Sequence, residues 1–78
     1  MESIHKKRIE KAFSEREFVK IVFQYPDVRT IIKRGIIVAI ADNGFEIEEI
    51  KDGLVSFSYQ FIVEVKGESE VDYGRERY

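Results

Sequence analysis

The sequence predicts a mostly β domain, a small barrel of five strands entered through an N-terminal α-helix. Three observations carry that expectation. Thr30–Asp42 is a long run dense in β-branched residues, with Gly35 inside it and Asn43-Gly44 just beyond it. Four shorter segments alternate apolar and polar residues between turn signals at Pro26-Asp27, Asn43-Gly44 and Asp52-Gly53. One segment at the front has helical rather than strand spacing.

Taken in order, residues 2 to 16 read as that helix. Ser3 is an available N-cap, and Ile9, Ala12 and Phe13 form a narrow apolar seam. So thin a seam cannot hold a helix in water, so the helix is expected to lie across one end of a sheet. Phe18–Tyr25 is the first strand, with Val19, Ile21, Phe23 and Tyr25 on one face and Phe18, Lys20, Val22 and Gln24 on the other. Thr30–Asp42 is the second. A glycine inside a strand weakens it and usually marks a bulge or sharp bend, so Gly35 is assigned the bend that lets one strand serve both halves of the sheet. Asn43-Gly44 is a strong two-residue hairpin signal, because both residues tolerate positive φ. Phe45–Ile50 returns with Phe45 and Ile47 inward and Glu46 and Glu48 outward. Its alternation breaks at Glu49-Ile50, which suggests a second bulge. After the Asp52-Gly53 turn, Leu54–Ser58 is the fourth strand, Tyr59-Gln60 a single helical turn, and Phe61–Lys66 the fifth strand, with Phe61, Val63 and Val65 on one face. Residues 1–67 thus make one domain, and residues 68–78 read as a flexible polar tail.

Composition narrows the chemistry. A 78-residue chain is one small domain, which buries only about 60% of its unfolded surface. There is no cysteine, so disulfides and thiolate metal sites are excluded, and the lone His5 cannot form a multi-histidine centre. No apolar run approaches the ~20 residues of a membrane span, so a cytoplasmic protein without a membrane role is expected. Net charge is −2, distributed unevenly: residues 1–35 carry +4 and residues 36–78 carry −6. The uneven split permits a basic face despite the acidic total.

Helix, five strands, tight turns and a helical turn before a short last strand resemble the plan of the Sm-like (SH3-like) small barrels. Lys11-Ala12-Phe13 followed by Val19-Lys20-Ile21-Val22-Phe23 is similar to the end of the helix and first strand of the bacterial Hfq branch. Gly35-Ile36-Ile37 and Phe57-Ser58-Tyr59-Gln60-Phe61-Ile62-Val63-Glu64-Val65 are similar to its later strands. The likeness spans about Ile9 to Lys66. Other Sm-like groups open the same way, among them the WYL ligand-sensing domains and the small acidic inhibitor of the Rho terminator. The sequence departs from Hfq at the RNA site. Its Tyr-Lys-His triplet falls on Ser58-Tyr59-Gln60, and its arginine-rich rim falls on Ser14-Glu15-Arg16-Glu17.

The resemblance implies a non-catalytic regulatory module, without a cofactor, that binds RNA or another single-stranded nucleic acid. Lys6, Lys7, Arg8, Lys11 and Arg16 are the candidate phosphate contacts, and Tyr59 and Gln60 the candidate base contacts. An ordinary solvated helix face and a Tyr59 packed into the barrel end are the competing readings. Gly35, Asn43, Gly44 and Gly53 are assigned to turns and bends. Glu46, Glu48 and Glu49 resemble a carboxylate cluster, but outward strand acids that discourage mispairing explain them better. The acidic second half supports an alternative, a protein–protein module bound to a regulatory partner. In Sm rings the fourth strand of one copy pairs with the fifth of the next. A homo-oligomer through strand edges 54–58 and 61–65 is therefore expected.

Overall fold

A computed structural model describes residues 4–27 and 29–68. The elements run α1 (Ile4–Glu15), β1 (Phe18–Gln24), β2 (Thr30–Ile40), β3 (Gly44–Glu49), β4 (Gly53–Ser58), a 3-10 turn (Tyr59–Phe61) and β5 (Ile62–Gly67). The expected helix and five strands are all present, with ends shifted by a residue or two. Ser3 and the tail from residue 69 lie outside the described residues. No helix among those described is long and apolar enough to cross a membrane.

The strands form one antiparallel sheet in the order β4-β3-β2-β1-β5. This corrects the expectation of a closed barrel: β4 and β5 do not pair, and each is an open edge. The 3-10 turn sends the chain away from β4, and β5 then pairs with β1 instead. Ser58 caps that turn, its Oγ accepting from the Gln60 N–H at 3.4 Å.

One face of the sheet carries the core. Val19, Ile21 and Phe23 of β1, Ile37 of β2 and Ile47 of β3 are fully buried beneath Ile9 and Ala12 of the helix. Each such side chain contributes roughly 1.5–3 kcal/mol by leaving water. Phe23 lies at the centre of an aromatic group, 4.6 Å from Phe57 and 6.4 Å from Phe45 between ring centroids. Phe61 closes against Tyr25 at 4.8 Å.

Two registers slip, and neither slip is at Gly35. Ile37 opposes Ile47 and Ala39 opposes Glu46, so Val38 is the extra residue in β2. Val22 opposes Glu64 and Phe23 opposes Ile62, so Val63 is extra in β5. The second slip changes the expected facing at the start of the last strand, where Ile62 is buried and Val63 is 52% exposed, while Phe61 and Val65 pack against the core. No bulge breaks β3 either. Phe45, Ile47 and Glu49 all face inward, and Ile50 begins the turn.

Gly35 has a different role. It pairs with Val19 on one side and Glu49 on the other, and a Cβ there would overlap the Glu48 carbonyl oxygen. It is the point where the backbones of β2 and β3 approach too closely for any side chain. Gly44 is similar, since its Cβ would overlap the Phe57 carbonyl. Neither Asn43 nor Gly44 takes positive φ, so the hairpin turns through Asp42-Asn43 with Ala41 N–H bonded to Gly44 O at 2.8 Å. Gly53 does have positive φ (75°), ending the three-residue Ile50–Asp52 loop in the manner of a G1 bulge.

The helix ends in a Schellman motif. Glu17 N–H bonds Ala12 O (2.9 Å) and Arg16 N–H bonds Phe13 O (3.3 Å), with Arg16 left-handed at φ 55°. Glycine usually fills that position, because a Cβ costs about 1–2 kcal/mol in the left-handed region. Arg16→Gly is therefore expected to raise stability by roughly 0.5–1 kcal/mol in urea denaturation, after allowing for glycine's freer unfolded chain. Gly35→Ala should lower it by about 2–3 kcal/mol, because the clash is with backbone. A Gly35→Ala variant as stable as wild type would show that β2 and β3 are not held this close.

Candidate functional site

The cations expected to meet phosphate are not equivalent. Arg8 donates from both terminal nitrogens to the two carboxylate oxygens of Glu17, each at 2.9 Å. This fork lies against Gly67, where a side chain would run into it. The hydrogen bond from Arg8 holds the Glu17 carboxyl below the usual range, and the same bond raises Arg8. Arg8 is thereby committed to tying the helix to the ends of β1 and β5. Lys6 places its amine 5.7 Å from the centre of the Tyr59 ring, within cation–π range. Lys7, Lys11 and Arg16 are exposed.

Tyr59 is 7% exposed, with its ring 5.6 Å from Phe45. Its hydroxyl donates to Ala41 O at 2.9 Å. Burial pushes the phenol up, more than the hydrogen bond to Ala41 lowers it. The ring therefore packs into the sheet interior beneath the helix and shows no open face on which a base could stack. Gln60 is exposed, and the capping group of the turn is Ser58. Of the seven expected contact residues, Lys6 and Tyr59 are brought together. Gln60 points elsewhere from Tyr59, and Arg8 is engaged by Glu17.

The acidic residues also divide. Glu46 and Glu48 lie on the outer face, opposite Ser56 and Leu54. Glu49 is 6% exposed and faces inward. Its Oε1 accepts from the backbone N–H groups of Lys51 (2.9 Å) and Asp52 (2.7 Å), clamping the β3–β4 turn. Burial pushes the Glu49 carboxyl up, but the N–H groups of Asp52, Lys51 and Arg34 and the charge of Lys33 outweigh it, and the net shift is downward. Lys33 pairs with Asp52 at 2.7 Å across the same turn. No cluster of three or more potential metal ligands occurs among the described residues.

A groove of about 800 Å³ runs along the β2–β3 turn and the end of β4. Ala39, Gly44, Ser56 and Ser58 supply small side chains along it, beside Glu46. Its charged lining residues are Asp42 and Glu46, and no lysine or arginine lines it.

The outer face of the central strands holds a feature the sequence analysis did not single out. Lys20 lies directly opposite Arg34 on one side and Lys66 on the other, so three cations form one row across β5, β1 and β2. Alternation alone sets Lys20 on the face of its strand shared with Phe18, Val22 and Gln24. What was missing was the register that aligns it with residues 14 and 46 positions away. Arg34 is bridged by Glu68 at 3.2 Å. That bridge spans the position of Phe18, which is buried although it lies on the outer face.

No protein-family model matches the chain, and no curated protein matches it.

Tyr59→Phe removes one hydrogen bond from a buried group, so a loss of about 1 kcal/mol is expected in urea denaturation. Glu49, Glu17 and Asp52 all have carboxyls held below their unfolded values. Their stabilisation is therefore complete above the unfolded value, about pH 4–4.5, and is lost as pH falls through the lower folded values. Glu49→Gln should cost about 1–3 kcal/mol at pH 7 and flatten the acid limb of a stability–pH curve. An unchanged acid limb would show that Glu49 does not clamp its turn.

Proposed function

We propose that the chain is a non-catalytic, Sm-like regulatory module that assembles through its two open strand edges and binds single-stranded nucleic acid. The observation that carries this reading is the strand order, with β4 and β5 at opposite ends of one open sheet and only a 3-10 turn between them in sequence. An antiparallel sheet ending in two bare edges, neither containing proline, is open to pairing edge to edge with other copies. Leu54 on β4 and Val63 on β5 are 60% and 52% exposed, which suits an apolar contact between edges. The short Sm-like motifs support the nucleic-acid ligand, and exposed Lys7, Lys11 and Arg16 add positive potential near the helix.

The acidic groove favours a second reading, a protein partner bound at the β2–β3 turn. Asp42 and Glu46 would attract a basic segment and repel a phosphate chain.

Light scattering of the full chain is expected to find a concentration-dependent oligomer. Leu54→Lys with Val63→Lys, two exposed changes that place charge on the edges, should give a folded monomer. A wild-type monomer at high concentration would overturn edge assembly. Titration with oligo-U and oligo-A should show binding that weakens as salt rises. A stable protein recovered from lysate, and lost on Asp42→Lys with Glu46→Lys, would favour the second reading.

A further inference from the structure

We propose that the outer face of β5, β1 and β2 holds a sequence-independent site for the phosphate backbone of a single-stranded nucleic acid, built on the row Lys66–Lys20–Arg34. This rests on the nucleic-acid reading above and moves its main contact from the helix to the sheet.

Adjacent strands lie about 4.8 Å apart, so the three cations line up across roughly 10 Å. Like charges directly opposite on neighbouring strands destabilise a sheet, and here they occur twice in succession, from the edge strand β5 to β2. The surroundings do not cancel them. Arg34 is met by Glu68, whereas Lys20 and Lys66 make no hydrogen bond or ion pair among the described residues. Glu64 shares this face, opposite Val22, and is joined to neither lysine by an ion pair. Lys20 and Lys66 are therefore cross-strand neighbours that no carboxylate among the described residues pairs directly.

The form of the site selects the ligand. β1 and β2 are paired on both sides, so an incoming strand could add only beyond Lys66 at the β5 edge and not over Lys20 and Arg34. The row lies outside the groove, so nothing encloses a side chain. What remains is charge at regular spacing, flanked by Val22 and exposed Ile32. Such a surface suits a chain of phosphates read without regard to sequence. The buried Tyr59 fits this picture, since base recognition is not required of it.

The test is fluorescence anisotropy of a labelled 20-nucleotide oligo-U titrated with the full chain at several salt concentrations. Lys20→Gln with Lys66→Gln should weaken binding roughly tenfold and reduce the slope of log K against log salt by about 1.4, the share of two phosphate contacts on a single strand. Lys7→Gln with Lys11→Gln should change affinity by no more than about twofold to threefold. A melting temperature for Lys20→Gln with Lys66→Gln at or above wild type would show that the loss is not unfolding, because the substitutions remove like-charge repulsion. Wild-type binding that survives the sheet variant, or falls equally with the helix variant, overturns the site while leaving the nucleic-acid reading intact. No wild-type binding overturns both. Displacement of the oligonucleotide by poly-glutamate at equal charge concentration would also overturn the site, because it would mark the row as a face for acidic protein.

Discussion

Gly35 is where the sheet is held together. Like Ile36 it is paired on both sides, with Val19 of β1 and Glu49 of β3, and the strand backbones there leave no room for a Cβ. The inner row through it reads Gly67–Val19–Gly35–Glu49–Gly53 across all five strands. Three of its five members lack a side chain, so this end of the sheet is thin. The thinness has consequences on both flanks. Over Gly67 the Arg8–Glu17 fork settles and fixes the helix. At the other flank Glu49 turns its carboxylate into the β3–β4 turn and satisfies two backbone donors. The thick end of the same face is filled by Phe23, Phe45, Phe57 and Tyr59.

That arrangement also redistributes the charge. The helix appears cationic when written out, but Arg8 is neutralised by Glu17 and Lys6 is drawn over Tyr59. The acidic second half is likewise not a single surface. Glu49 is internal, Asp52 pairs with Lys33, and Glu46 with Asp42 borders the groove. Among the described residues this leaves exposed Lys7, Lys11 and Arg16 at the helix, a cation row on one part of the sheet, an acidic groove on another, and two bare edges. The row, the groove and the edges are set by strand register, which neither net charge nor composition reports.

The elements were legible in the sequence because each carries a local signal: helical spacing at Ile9 and Ala12, alternation in the strands, and glycine or proline at the breaks. The division of β1 and β4 into two faces followed directly from alternation. The slips at Val38 and Val63 did not, because both fall within apolar runs, Ile36-Ile37-Val38 and Ile62-Val63, where no polar residue marks the facing. Gly35 and Gly44 announced themselves as special, but sequence alone favours a bend or a positive-φ turn over a close backbone approach two strands away. Glu49 was read with the surface acids because the donors that justify its burial are main-chain N–H groups, which no residue letter reveals. Tyr59 was legible as an important position and ambiguous in role. Its hydroxyl bond to Ala41 decides for packing.

The inner side of the sheet is engaged in folding, which leaves its ends and outer side for the proposed function. The proposed assembly requires that β4 and β5, bare edges of the isolated chain, become covered when copies meet. Amide hydrogen exchange, followed residue by residue at low and high protein concentration, addresses this most directly. The predicted result is that amides of Gly53–Ser58 and Ile62–Gly67 gain protection as concentration rises, while those of β1 and β2 stay as they were. Protection that is independent of concentration along both edges, or gained only on the helix, would contradict it.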